Sequence, residues 1–339
     1  MDIELLWKRA EVIRTIRRFF DERGYLATDT PLLAPDLIPE SCLEVFETAY
    51  LPPEGSTLRK AQPYWLIPSP EIWMKKLIAQ HRVSMYQICK CFRNGESTGR
   101  LHSPEFTMLE YYTMDADYED ALRITEDFFR FLLPQVGHSA PAGVFEADPL
   151  SPPFLRLTME DAFSQWVGFS LFEAAEKGSL EAEARNLGLA PPAGMNQADL
   201  YNLIFVHAVE PQLPQDRPVA LMDYPAFVPC LAKTRPDGKT MERWELYVRG
   251  IELANCYSEE TDGEAVRRYF EAETAVKAQT ALVPHKTDGE YWKSFLPHRD
   301  AGGTARPFPR CAGVALGLDR LIMGLSGRST IDGVLTFPF

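Results

Sequence analysis

Residues 92–112 read FRNGESTGRLHSPEFTMLEYY. The stretch leading in, SMYQICKCFRN (84–94), alternates as a strand does, and PEFTMLEYYTMD (104–115) is a second strand. The polar segment Gly95 to Ser103 between them reads as the long functional loop of a hairpin. Arg93 leaves the first strand, and His102, Ser103 and Phe106 return on the second. That set suits a nucleotide. A guanidinium grips an α-phosphate with two parallel bonds, a loop acid accepts from an adenine amino group, a phenylalanine offers a stacking face, and His102 or Ser103 reaches the outer phosphates. Each residue alone is bland: Arg93 would pass for a surface ion pair and Phe106 for core.

Working outward, residues 4–23 read as a helix, with Leu6, Ala10, Ile13, Ile16 and Phe20 at steps of three and four, widened by Val12 and Phe19. Gly24 ends it, and YLATDTP (25–31) is a short extended segment. YWLIPSPEIWMKKLIAQ (64–80) gives a strand, a turn at Pro68-Ser69-Pro70 and a helix from about Glu71. A helix over 117–133 and a Pro- and Gly-rich connector over 134–156 follow. Residues 158–215 read as a helical insertion between two halves of one sheet. The sheet pattern resumes in PVALMDYPAF (218–227) and ERWELYVRGIELANCY (242–257), then comes a helix over 262–281, and CAGVALGLDRLIMGL (311–325) is a Gly-rich strand running into a helix. Strands and helices are segregated, without βαβ alternation. This predicts an α+β fold, an antiparallel sheet flanked by helices, in a single domain over 1–339.

Bulk properties exclude several classes. A 45% hydrophobic and 24% charged composition is that of a globular protein. No apolar run approaches the ~20 residues of a membrane helix. The N-terminal stretch is basic but carries Asp2, Glu4, Glu11, Asp21 and Glu22, unlike a signal or transit peptide, so a cytoplasmic protein is expected. The formal net charge of −13 argues against a large nucleic-acid footprint, and no stable nucleic-acid partner is expected. Six scattered cysteines show neither a disulfide framework nor zinc spacing.

Two further constellations carry chemistry. In GVALGLDRLIM (313–323), small residues let a strand approach a ligand, and Arg320, placed directly after Gly317-Leu318-Asp319, opens a helix where a phosphate is favoured. In ERWELYVRGIELAN (242–255), Glu245 and Glu252 are seven residues apart, on opposite faces of a regular strand, unless a bulge at Gly250 restores them to one face. Two carboxylates with phosphate oxygens would make a Mg²⁺ site; otherwise Glu245 faces solvent and only Glu252 is buried.

At these residues the chain resembles the class II aminoacyl-tRNA synthetases. FRNGESTGRLHSPEFTMLEYY resembles motif 2, GVALGLDRLIM motif 3, and the helix and strand ending at Pro31 motif 1. DYPAFVPCLAK (223–233) and GIELANCYSEETD (250–262) are similar to the lysine branch. The lysyl enzymes carry an anticodon-binding OB domain ahead of motif 1. This sequence begins at motif 1, in which it resembles the paralogues that transfer lysine or (R)-β-lysine to a lysine side chain of elongation factor P.

The resemblance implies ATP and Mg²⁺ as cofactors, a homodimer through motif 1, and a set of roles. Arg93 and Arg320 would be catalytic, Arg93 on the α-phosphate and Arg320 against adenine and the γ-phosphate. Asn94, Gly95 and Glu96 would belong to the ATP site, the adenine amino group falling to Glu96 or to the Gly95 backbone. His102 and Ser103 would line the triphosphate and Phe106 stack on adenine. Glu245, with Leu246 beside it, and Gly317 would complete the nucleotide site, and Glu245 and Glu252 would hold Mg²⁺. In the amino-acid pocket, Ser69, Pro70 and Glu71 would meet the substrate amino group, Tyr112 and Glu252 its ammonium groups and Asn255 its carboxylate end. Ala315, where the tRNA synthetases usually have glycine, would narrow the pocket floor, and Cys256 would stand beside the substrate. A Gly95 inserted between Asn94 and Glu96 is a further departure from the family pattern. The implied reaction is adenylation of the substrate carboxylate, then attack by an acceptor amine. A tRNA or carrier protein as acceptor, and a non-catalytic nucleotide-binding paralogue, stand as alternatives.

Overall fold

Period-two alternation decides which side of each strand meets the core and which is left for chemistry. The computed structural model describes residues 3–55, 60–96, 99–137, 149–299 and 304–338. The main sheet has eight strands: β1 (Leu26–Ala27), β2 (Met85–Phe92), β3 (Glu105–Met114), β4 (Leu155–Thr158), β5 (Val219–Met222), β6 (Arg243–Val248), β7 (Ile251–Ser258) and β8 (Cys311–Gly317). Their spatial order is β1-β2-β3-β8-β7-β6-β5-β4. The helices are α1 (Ile3–Asp21), α2 (Glu71–His81), α3 (Tyr118–Val136), α4 (Met159–Trp166), α5 (Leu171–Lys177), α6 (Leu180–Asn186), α7 (Gln197–Ile204), α8 (Gly263–Thr280) and α9 (Leu318–Leu325).

The sheet is mixed. It is antiparallel from β2 through to β5, as expected, and parallel at its two edge pairs, β1 with β2 and β4 with β5. Parallel neighbours need a long crossover, and the 158–215 segment supplies one between β4 and β5. It is helical as expected, α4 to α7, with Thr158, Ser170 and Asn196 accepting bonds from first-turn amides of α4, α5 and α7. Its apolar side chains, among them Phe163, Leu171, Tyr201 and Ile204, cluster with Val219 and Leu221 of β5. Of the 134–156 connector, residues 138–148 lie outside the described residues, and α3 runs on through Pro134.

One face of the sheet carries the largest core. Leu109 and Tyr111 of β3, Val314 and Leu316 of β8, Leu246 of β6 and Ala254 of β7 cluster there with apolar residues of α1, α3 and α9. Their strand neighbours Met108, Glu110, Tyr112, Gly313, Ala315 and Gly317 line a cavity. On α1 the buried residues are Leu5, Val12, Thr15, Ile16, Phe19 and Phe20, while Leu6, Ala10 and Ile13 of the expected stripe are half-buried. Polar anchors fix this rotation. Lys8 Nζ donates to the Leu325 carbonyl of α9 at 2.7 Å, and Arg9 Nη1 donates to Asp319 Oδ1 at 2.6 Å.

Asp319 ties three elements together. Its second oxygen accepts from the Thr107 amide of β3 at 2.6 Å, while Arg9 Nη2 donates to Thr107 Oγ1 at 2.8 Å. The carboxylate is 2% exposed. Breaking a buried pair strands the remaining charge, so Asp319→Ala is expected to cost about 3–5 kcal/mol. The measurement is the urea midpoint at unchanged slope; a loss below about 1 kcal/mol would show that the fold does not depend on this contact.

Candidate active site

Register sets the cavity floor in rows. Glu245, Asn255, Ala315, Glu110 and Gln87 stand abreast on β6, β7, β8, β3 and β2. Arg243, Tyr257, Gly313, Tyr112 and Met85 make the next row. Most of these residues line a cavity of about 550 Å³, closed laterally by the motif 2 loop, α2, α8 and the loop around Glu40.

Glu245 and Glu252 share this face through a hairpin, which corrects the expected single strand bulged at Gly250. Arg249 (φ +53°) and Gly250 (φ +69°) form the tight turn between β6 and β7, both in the left-handed region that a two-residue type I′ connection demands. The register shift falls instead between Glu252 and Ala254. It keeps Glu252 and Asn255, three residues apart, on the cavity side. Glu245 is the more enclosed of the two, its side chain 12% exposed against 43% for Glu252, so the solvent-facing alternative for Glu245 is overturned. Arg243 Nη2 donates to Glu245 Oε1 at 2.6 Å and the Tyr247 hydroxyl to Oε2 at 2.8 Å. Enclosure within the cavity walls, with the Glu245 charge adding to it, raises the Glu252 carboxyl above its usual range, opposed by Arg320.

Two guanidiniums face one end of the cavity. Arg93 lies 5.2 Å from the Phe106 ring centroid and 3.6 Å from Glu96, and its Nε is buried without a partner among the described residues. Arg320 donates to the Glu252 carbonyl at 2.6 Å and lies 3.0 Å from His102 Nε2. Burial and the Arg320 charge lower the His102 pKa, so the ring is neutral and accepts from the guanidinium.

The other end is acidic. Lys75 of α2, 0% exposed, sits 2.5 Å from both Glu71 and Glu259. Tyr257 donates to Glu71 at 3.1 Å, and Tyr112 donates to Glu110 Oε1 at 2.7 Å, while Glu110 Oε2 is buried without a partner among the described residues. Burial works against the Lys75 charge, but Glu259 and Glu71 overcome it and hold the amine protonated. Burial pushes Glu259 up to about 8 against the pull of Lys75, and burial with Glu71 holds Glu110 well above the carboxylate range. Three carboxylates therefore share one cation, and protons make up part of the balance.

The structure gathers Ser69, Glu71, Arg93, Glu96, His102, Ser103, Phe106, Tyr112, Glu245, Glu252, Asn255, Ala315, Gly317 and Arg320 on one cavity wall. Asn94, Gly95, Leu246 and Pro70 are not on it. The Asn94 side chain donates to the Val45 carbonyl at 3.2 Å and accepts from the Gly95 amide at 2.9 Å, tying the loop to the segment at Glu44 and Val45. Leu246 faces the core, as alternation requires once Glu245 faces the cavity, and so does Cys256, which does not stand beside a substrate. Pro70 is the residue before the first turn of α2. Sequence reading assigned no role to Glu110, Lys75, Glu259, Tyr257 or Arg243. A lysine within the apolar run of α2 was the available signal for Lys75.

Gly313 makes room for protein, not for a ligand. A Cβ there would lie 2.5 Å from the Tyr112 ring and 2.6 Å from Glu259 Oε1, whereas one at Gly317 would meet nothing closer than 3.7 Å. Gly313→Ala is expected to destabilise by about 1–3 kcal/mol through overpacking, and Gly317→Ala by less than about 0.5 kcal/mol. Equal shifts in unfolding midpoint would contradict this account.

The family profile "tRNA synthetases class II (D, K and N)" matches residues 3–339. Similar proteins include one from Histophilus somni (strain 2336), 34% identical over 336 residues, covering 99% of this chain and 95% of the relative. Another, from Vibrio atlanticus (strain LGP32), is 35% identical over 340 residues, covering 99% and 96%. Both are named elongation factor P–(R)-β-lysine ligase. With motifs, sheet and profile in agreement over its length, the chain belongs to the class II tRNA synthetase family, in the branch of the aspartyl, lysyl and asparaginyl enzymes.

Proposed function

We propose that this chain is an ATP-dependent ligase that activates lysine or (R)-β-lysine as an aminoacyl-adenylate and transfers it to a lysine side chain of elongation factor P. The observation that carries this is one cavity with a cationic end at Arg93 and Arg320 and an anionic end at Glu71, Glu110 and Glu259. A triphosphate suits the first and a substrate with two ammonium groups the second. A buried carboxylate left without a cation is costly, so an amino acid lacking the second amine would bind poorly. The names of the similar proteins support the acceptor and the β-amino acid.

In the first step the substrate carboxylate attacks the α-phosphorus and pyrophosphate leaves. Arg93 and Arg320 face that charge from fixed positions, which is electrostatic stabilisation. Phe106 offers the adenine a stacking face, Glu96 an acceptor, and His102 and Ser103 line the triphosphate. The oxygen donors of Glu245 and Glu252 on one face fit a hard divalent cation, and Glu252 is open to the cavity. A bound Mg²⁺ would neutralise phosphate charge there. Asn255 and Ala315 lie between the two ends on the sheet floor. Ile3 and Trp7, 65% and 66% exposed on α1, support a homodimer through this helix. No helix among the described residues is long and apolar enough to cross a membrane, and the free state of all six cysteines supports a cytoplasmic location.

Arg93→Ala is expected to lower Mg²⁺-dependent pyrophosphate exchange about 10²–10³-fold. Intact-mass measurement of elongation factor P after incubation with ATP and either lysine isomer should show the gain of one lysyl unit. AMP release without that gain would point to another acceptor, and no AMP at all to a non-catalytic paralogue. Substrate binding should also release protons. An incoming ammonium favours ionised carboxylates, and Glu110, held well above the carboxylate range by burial and the Glu71 charge, is the acid that gives up its proton. Calorimetry at pH 7 in buffers of different ionisation enthalpy is expected to show release on the order of one proton. Affinity should fall as pH drops and the acidic end holds its protons more tightly. Buffer-independent heats would sink this account of the acidic end.

A further inference from the structure

The transfer step needs a base, and the roles assigned above name none. Arg93 and Arg320 are cations, and Glu71 and Glu259 are committed to Lys75. The remaining cavity wall includes residues 40–43, which belong to no sequence motif. Two buried residues of α8 hold this loop by its backbone alone. The Ser41 amide donates to Glu273 Oε2 at 2.9 Å, and Lys277 Nζ donates to the carbonyls of Glu40 and Leu43. The Glu40 carboxylate itself forms no hydrogen bond or ion pair among the described residues, and Glu40 lines the cavity. It is a carboxylate carried on an anchored backbone and left free.

Its charged surroundings locate it. Glu71 and Lys75 act on it from α2, Arg93 from the motif 2 loop and Lys277 from α8, and Tyr269 of α8 and Cys42 of its own loop feel its charge in turn. Glu71 marks the amine end and Arg93 the α-phosphate end. The acyl carbonyl of a bound adenylate, bonded on one side to the amino-acid skeleton and on the other to that phosphate, lies between them.

We propose that Glu40 is the general base of the transfer step, taking the proton from the acceptor nitrogen as it attacks the adenylate carbonyl. This rests on the adenylation chemistry proposed above. The acceptor ammonium loses its first proton to solvent, and the free amine adds to the carbonyl carbon, forming the C–N bond. Glu40 takes the second proton from that nitrogen. The C–O bond to the phosphate breaks, its electron pair leaves with AMP, and the amide remains. Burial and the Glu71 charge push the Glu40 carboxyl up to about 7, against Arg93 and Lys277, which suits a base operating near neutrality.

The test separates the half-reactions. Pyrophosphate exchange reads adenylation, and single-turnover transfer from preformed adenylate to subsaturating elongation factor P reads the second step. Glu40→Gln is expected to slow transfer at pH 8 by about 10²-fold or more, and exchange by no more than about twofold, which also reports a folded protein. In the unaltered enzyme the logarithm of the transfer rate should rise with a slope of about two below pH 7, where amine and Glu40 both deprotonate, and about one above it. Glu40→Gln should show a slope of about one throughout, and Glu40→Asp should keep the break. Equal loss in both half-reactions would place Glu40 in the amino-acid pocket and overturn the proposal, as would an unchanged transfer rate or a break that persists in Glu40→Gln. No exchange by the unaltered enzyme would instead overturn the adenylation chemistry itself, which a failure confined to Glu40 leaves standing.

Discussion

Asp319 accepts from Arg9 of α1 and from the Thr107 amide of β3 while standing in the first turn of α9. The interaction joins the three parts of the chain that carry the synthetase-like motifs. It also sets their relative height. Thr107 is the strand neighbour of Phe106 and Met108 on the cavity wall, and Arg320 follows Asp319 directly. Holding Thr107 to Asp319 therefore holds the aromatic face and the second guanidinium in one frame. A buried ion pair adds little net stability over an apolar contact, but it is intolerant of misregister. That intolerance is what a site built from two strands and a helix requires.

The cavity divides by charge because the sheet beneath it does. Alternation leaves small or polar residues on the cavity side of β7 and β8, and Glu110 and Tyr112 beyond Phe106 and Met108 on β3, and register lines them up in rows. At the row containing Gly313 the missing side chain admits the Tyr112 ring and brings Glu259 close. That glycine is spent on packing the acidic end, so the pattern of small residues in this strand has two causes. Gly313 accommodates a tyrosine; Gly317 lies beside Arg320 with room to spare.

Much of this was legible in the sequence where the signal is local. The motif 2 hairpin shows as two alternating runs around a polar loop, and β2 and β3 pair as that pattern implies. The helices α2 and α8 and the helical insertion declare themselves by composition and caps. Two things were hidden. The β6–β7 turn consists of Arg249-Gly250 inside an unbroken alternating run, and a non-glycine residue at positive φ is not read from sequence, so a bulged strand was expected instead. The rotation of α1 depends on Lys8 and Arg9 finding partners at the far end of the chain. The same holds for Lys75 and Glu259, whose pairing brings together α2 and the segment after β7. By contrast, the core-facing positions of Leu246 and Cys256 follow from alternation as soon as Glu245 and Asn255 are assigned to the cavity.

The acidic end carries the most physical consequence. Glu71, Glu110 and Glu259 around a single buried ammonium would repel one another if all were ionised, and burial with the Glu71 charge raises the Glu110 carboxyl, so that a proton occupies part of the cluster. A protonated carboxyl is a tolerable occupant of a buried site, so the empty pocket is not heavily strained. An ammonium group entering displaces that proton and gains ionised partners in a region where burial strengthens each contact. A neutral side chain gains none of this and leaves an acceptor such as Glu110 Oε2 unpaired. Discrimination of this kind, by what the wrong ligand leaves unsatisfied, is far sharper than discrimination by size in an apolar pocket. The cluster thus selects for the charge of the substrate before any contact to its reacting carboxylate is made.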